Sequence, residues 1–117
     1  MATYTIYHNP RCSKSRAALA LLQERNLSLR IVEYLKDPPS RAELAALRKQ
    51  LDLSPDQWIR KSEAEFKAAG LGPDSNEAAL LDAMAKHPIL IERPIVVYGN
   101  HAVVGRPPER VLELVGK

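Results

Sequence analysis

The chain has 117 residues, enough for a single domain with a hydrophobic core of its own. Apolar residues make up 45% of the sequence and charged residues 26%, which are ordinary values for a soluble globular protein and exclude overall disorder. The formal net charge of +3 suits a small anionic ligand. We expect no nucleic-acid binding, because Lys and Arg form no dense stripe with interleaved aromatic side chains.

The sequence also predicts where the protein is located and whether it holds a metal. No apolar run approaches the ~20 residues that a membrane helix needs, and the first residues lack a signal-peptide pattern, so we expect a cytoplasmic protein without membrane contact. Cys12 is the single cysteine, which excludes an internal disulfide and a cysteine-rich zinc site. The histidines, His8, His87 and His101, have no metal-ligand spacing, and we expect no metal site.

The first part of the chain predicts a β-α-β unit. Residues 3–7 alternate and are rich in β-forming side chains, which predicts a strand that ends at His8-Asn9-Pro10. An apolar helical pattern runs from Ser13 to about Asn26. Residues 30–34 then predict a second strand.

Helix signals follow in the middle of the chain. Residues 40–43 form a capping box ahead of leucines at helical spacing. Ser54-Pro55 indicates a second helix start of the same kind, and residues 76–86 predict a further helix. Trp58 lies between these segments, and we expect it to be a core or edge anchor.

The last part of the chain predicts a hairpin and a terminal helix. Strands over residues 95–98 and 102–104 are joined by the turn signal Gly99-Asn100, and Pro107-Pro108 opens the helix. The order β-α-β, helices, β-β-α is that of an α/β thioredoxin-like fold with a helical insertion, although other small folds share it. We expect one domain over residues 1–117.

Cys12 has the setting of an activated thiol. It lies between a strand and the start of a helix, where backbone N–H groups and the helix dipole favour a thiolate, and Arg11, Lys14 and Arg16 add positive charge. Position 15, where a second thiol would resolve an adduct, is serine, so an outside thiol must do so. The Ser15 hydroxyl could donate a hydrogen bond to the thiolate. The alternative is a small buried hydrophobe.

Other charged residues predict an anion site opposite this thiol. Arg93 and Arg106 each precede a proline and flank the predicted hairpin, and Arg60 also stands apart from the helix faces. Guanidinium forks suit tetrahedral oxyanions. Alternatively, these arginines are solvated surface residues, some paired with acidic neighbours. His8 could tune the charge of Cys12, or serve only as a polar residue at a strand end.

Separated motifs of the chain resemble those of the glutaredoxin-coupled arsenate reductase family. The segments are residues 7–16, 34–39, 60–61, 87–97 and 105–109, in the family's order. The resemblance implies a thioredoxin-like fold with a helical insertion and an enzyme that reduces arsenate to arsenite. It implies that Cys12 attacks arsenate, that glutathione attacks the arsenylated cysteine, and that glutaredoxin then releases arsenite.

The resemblance also implies roles for individual side chains. Ser15 and His8 would support the thiolate, and Arg60, Arg93 and Arg106 would match the three anion-binding arginines of the family. Arg11 and Lys14 depart from the smaller residues of its best-known members. This leaves two alternatives, a glutathione-linked thiol oxidoreductase with another substrate and a regulator that binds RNA polymerase.

Overall fold

The computed structural model describes residues 3–115. They form two compact units, residues 3–37 with 93–115 and residues 38–92. The first unit has the predicted thioredoxin-like order of elements around a mixed sheet, and the second is the helical insertion. One domain over residues 1–117 stays a prediction. No helix within the described residues has the length and apolar character to cross a membrane.

The first unit is built on a four-stranded sheet in the order β2-β1-β3-β4. Its strands are β1 (Tyr4–His8), β2 (Leu29–Glu33), β3 (Ile95–Tyr98) and β4 (His101–Val104). β2 is parallel to β1, whereas β3 is antiparallel to both β1 and β4. The two central strands, β1 and β3, therefore carry the sheet's fully buried side chains, among them Ile6, Ile95 and Val96.

Helix α1 (Ser13–Gln23) and the 3-10 helix Pro108–Leu114 cover one face of this sheet. Side chains of successive strand residues alternate between faces, so Tyr4, Ile6 and His8 share the face of β1 under α1. The core on this face joins Ile6 to Leu22 of α1 and Val111 of the 3-10 helix. Full burial of each such side chain stabilises the fold by roughly 1.5–3 kcal/mol.

The second unit packs α2 (Arg41–Leu51) against α4 (Glu77–Lys86). The short helix α3 (Ala64–Ala68) and the 3-10 turns Pro55–Gln57 and Pro88–Leu90 complete it. Two ion pairs join α2 and α4 across the surface: Arg41 with Asp82 and Arg48 with Glu77.

Local signals predicted most of these elements. The Ser40–Glu43 capping box is present at α2, and Asn76 caps α4 with its side chain. The prediction that Ser54 caps a helix of the same kind is wrong. A three-residue 3-10 turn forms there instead, and the Ser54 side chain makes no capping hydrogen bond. The terminal helix is of the 3-10 type, and α3 forms where no local signal predicts a helix. Trp58 is a buried anchor, as predicted, and its indole N–H donates to the Leu53 carbonyl.

Candidate active site

The turn between β1 and α1 sets the position of Cys12. The Cys12 N–H donates to the Asn9 carbonyl over 3.0 Å, and the Arg11 N–H donates to the Asn9 side chain over 3.0 Å. Cys12 is the N-cap residue of α1, in extended backbone geometry, and its carbonyl accepts the first helical hydrogen bond, from Arg16. The partly exposed thiol therefore sits at the positive end of a helix whose first turn has no acidic residue.

The environment lowers the pKa of the Cys12 thiol overall. Burial raises this pKa, but a hydrogen bond from the backbone N–H of Ser15 and the hydrogen bond and positive charge of Arg93 lower it. The backbone N–H of Lys14 lowers it further, and the net pKa lies below its ordinary value. A thiolate is the nucleophilic form of cysteine, so this setting favours attack by the sulfur.

The cations that stabilise the thiolate differ from those expected. Arg11, Lys14 and Arg16 were predicted to act through their side chains because they are close in sequence. In the structure Lys14 acts through its backbone, and the Arg16 guanidinium donates to the Pro10 carbonyl over 3.0 Å, bracing the turn. The side-chain cation that lowers the thiol pKa is Arg93, from a distant part of the sequence.

His8 and Ser15 meet beneath the turn, and both are buried. His8 Nδ1 lies 2.6 Å from Ser15 Oγ, which also accepts a hydrogen bond from the Asn9 N–H over 3.0 Å. Burial lowers the pKa of His8, Glu33 raises it and Arg16 lowers it, with a net lowering that leaves the imidazole neutral at pH 7. Support of the thiolate by the Ser15 hydroxyl and by His8 stays a prediction.

The segment around β3 and β4 holds Arg93 and Arg106. Arg106 Nη1 donates to the Arg93 carbonyl over 3.1 Å, and the Gly105 N–H donates to the Pro94 carbonyl over 2.8 Å. The Arg93–Pro94 peptide is cis, as is the peptide between Arg106 and the proline that follows it. Side-chain nitrogens Nε and Nη1 of Arg93 are buried. Both of these predicted anion-binding arginines therefore lie in the first unit, in a segment held together by the hydrogen bonds above.

Arg60 belongs to the helical unit, where it is paired with carboxylates. Its Nη1 lies 2.6 Å from Glu63, and its Nε lies 3.8 Å from Glu92. An isolated bridge between Ile59 and Ile91 brings these segments together. Anion binding by Arg60 stays a prediction, and it would draw on a guanidinium that two carboxylates already contact.

Two further residues shape this region although their roles were not predicted. Gly105 is buried, and a Cβ there would lie 2.8 Å from Val111 Cγ1 and 2.9 Å from Pro94 Cγ. Asn9 orders the turn with both its carbonyl and its side chain, which its position in an Asn-Pro pair could have indicated. Within residues 3–115, no group of three or more His, Cys, Asp or Glu side chains could hold a metal ion.

Comparisons with known proteins identify the family of this chain. The ArsC family model matches residues 7–114. The chain is 46% identical over 114 residues to an arsenate reductase of Rhizobium meliloti, covering 97% of this chain and 81% of that protein. It is 48% identical over 113 residues to the uncharacterized protein YfgD of Escherichia coli K12, covering 95% of each.

A solved structure extends the likeness to three dimensions. The arsenate reductase from Vibrio cholerae superposes with a TM-score of 0.92 at 45% identity, covering 97% of this chain and 98% of that one. The match of the family model spans both the thiol turn and the arginine segment. The chain therefore belongs to the ArsC family.

Proposed function

We propose that this protein reduces arsenate to arsenite through a covalent adduct on Cys12. The observation that carries the proposal is the thiol at the start of α1, whose pKa is lowered by helix N–H groups and Arg93 despite burial. Arsenate is a tetrahedral oxyanion, and a guanidinium beside the thiolate offsets the repulsion between the two anions.

The reaction needs two electrons that Cys12 alone does not supply. The thiolate forms a bond to arsenic, and one arsenate oxygen leaves as water. Outside thiols then attack the adduct, so that As(V) gains two electrons and leaves as arsenite while two thiols become a disulfide. Because position 15 is serine, we propose that glutathione attacks the adduct and that glutaredoxin completes the release. The cytoplasm maintains such reducing thiols, which supports a cytoplasmic location.

In this proposal the arginines bind the oxyanion. Arg93 contacts both the thiol and the bound arsenate, and Arg106, which donates to the Arg93 carbonyl, contacts the arsenate as well. Loss of either guanidinium would remove about 2–4 kcal/mol of transition-state stabilisation. Arg60 serves in the same role only after exchanging its contacts with Glu63 and Glu92.

The test is NADPH consumption with arsenate, glutathione, glutaredoxin and glutathione reductase. We expect turnover in the wild type, none in Cys12→Ser, and strong losses in Arg93→Ala and Arg106→Ala. Arg25→Ala removes an equal charge at an exposed site after α1 and should leave turnover unchanged. Turnover that survives Cys12→Ser would refute the proposal.

A second candidate is a glutathione-linked thiol oxidoreductase with another substrate. The observation that favours it is the pairing of Arg60 with Glu63 and Glu92, which occupies one of the predicted arsenate-binding arginines. It predicts a Cys12–glutathione disulfide that glutaredoxin reduces, together with no arsenate turnover. The same coupled assay, run with and without arsenate, distinguishes the two.

A further inference from the structure

A cavity of about 280 Å³ opens beside the thiol turn. One side is formed by the turn residues Asn9, Pro10 and Arg11, and the other by the end of β2 and the residues after it, including Leu35 and Lys36. Known small-ligand cavities have ~300–1,000 Å³. This one therefore has room for part of a small peptide and not for a large ligand.

The wall of the cavity is directly connected to Cys12. Asn9 accepts the hydrogen bond of the Cys12 N–H through its carbonyl, and Arg11 is the residue before Cys12. This wall of the cavity therefore continues along the chain directly into the residue that carries the thiol. The proposed arsenate reaction uses the arginine segment and leaves this cavity without a role.

The charges at the cavity favour an anionic occupant. Arg11 and Lys36 are exposed cations at its rim, and the buried His8 is neutral because its pKa is lowered, chiefly by burial. Glu33 lies 3.6 Å from Lys36, but solvent screens this pair because both side chains are well exposed. Leu35 adds an apolar side chain that is 46% exposed.

We propose that this cavity binds the reducing thiol, a small peptide thiol with carboxylate groups, and that Arg11 and Lys36 hold its carboxylates. This deepens the proposed function by locating the reductant, which must come from outside because Cys12 is the single cysteine. In exchange with the oxidised form, the Cys12 thiolate attacks one sulfur of the disulfide. A bond from Cys12 to that sulfur forms, the original S–S bond breaks, and the other half leaves as a thiolate.

The probes are three disulfides of different charge: anionic oxidised glutathione, neutral hydroxyethyl disulfide and cationic cystamine. Mass spectrometry follows the rate at which each forms a mixed disulfide with Cys12. The neutral disulfide reports the reactivity of the thiolate itself, so the ratio of the glutathione rate to the neutral rate measures the contribution of the cavity to the reaction with glutathione. Lys36→Ala and Arg11→Ala are compared with Lys49→Ala, which removes an exposed positive charge on α2.

We expect Lys36→Ala and Arg11→Ala each to lower this ratio by about three- to tenfold, since each removes one charge-assisted contact. Lys36→Glu should lower the glutathione ratio further and raise the ratio of the cystamine rate to the neutral rate. Lys49→Ala should change neither ratio. Unchanged ratios in both Lys36→Ala and Arg11→Ala would overturn the proposal. It would equally be overturned if Lys36→Ala slowed only the reduction by glutaredoxin, because the surface would then bind a protein.

Arsenate takes no part in this experiment, so the two proposals fail separately. Ratios that respond to Lys36→Ala in a protein without arsenate turnover would support the cavity and refute arsenate reduction. Turnover of arsenate together with unchanged ratios would support the reductase and overturn the cavity.

Discussion

Gly105→Ala tests whether the arginine segment is held by close packing. A Cβ at this position would lie 2.8 Å from Val111 Cγ1 and 2.9 Å from Pro94 Cγ, whereas carbon atoms pack at about 3.5–4.0 Å. Both neighbours belong to structured parts of the first unit and are themselves buried. Overpacking of this kind costs about 1–3 kcal/mol of unfolding free energy.

The expected loss is large enough to measure by thermal unfolding. For a chain of this length, each kcal/mol shifts Tm by about 4 °C, so Gly105→Ala should lower Tm by about 4–12 °C. Gly72→Ala is the matched control, because nothing lies within 4 Å of a Cβ there and its backbone is not left-handed. It should be neutral or stabilising by up to ~1 kcal/mol, since alanine restricts the unfolded chain. Equal Tm values for Gly105→Ala and Gly72→Ala would refute the reasoning.

The same substitution should also change the thiol. Pro94 follows Arg93, whose guanidinium lowers the pKa of Cys12. A displaced Pro94 moves this guanidinium away from the sulfur, so Gly105→Ala should raise the thiol pKa. The measurement is the rate of iodoacetamide alkylation against pH, made well below Tm. A lowered Tm with an unchanged alkylation profile would show that packing at Gly105 does not position Arg93.

Three further predictions concern single side chains. Arg93→Ala should raise the pKa of Cys12 and slow its alkylation at pH 7, and Arg93→Lys should restore part of the rate, because it keeps the charge. His8 has a lowered pKa in the folded state, so the unfolded chain binds more protons below pH 6.5. Stability should therefore fall as pH decreases from 6.5 through the folded pKa, and urea unfolding should show a smaller fall in His8→Gln. Glu63→Gln removes one of the two carboxylates beside Arg60 and should lower KM for arsenate by about two- to fivefold if Arg60 binds arsenate. An unchanged KM would remove Arg60 from the site.

Local signals made much of the fold predictable. A capping box needs only side chains three residues apart, and the Ser40–Glu43 pair specified the start of α2. The strand over residues 95–98 was predicted with its observed bounds, because a short run of β-branched residues ended at a glycine turn. By contrast, the N-cap residue of α3, Glu63, makes no side-chain hydrogen bond to the helix, and no local signal marks the start of α3.

The contacts of the arginines could not be predicted, because they depend on distant segments. Arg60 meets Glu92 through the bridge between Ile59 and Ile91, two residues with no local signal that they pair. Arg93 was predicted as an anion-binding residue, but its action on the thiol requires β3 to lie antiparallel beside β1. Sequence proximity favoured Arg11 and Arg16 instead, and proximity along a turn does not determine where a long side chain points.

The Ser15 hydroxyl has a single proton, and the protonation of His8 decides which acceptor receives it. Ser15 Oγ accepts the Asn9 N–H, so its own proton can serve one acceptor. If the neutral His8 carries its proton on Nε2, Nδ1 takes the hydroxyl proton over the 2.6 Å contact and none is left for the thiolate. If the proton is on Nδ1, the imidazole donates to Ser15 Oγ and the hydroxyl is free to donate elsewhere. A serine at the position of a resolving thiol therefore supports Cys12 through its backbone N–H in either state, and through its hydroxyl only in the second.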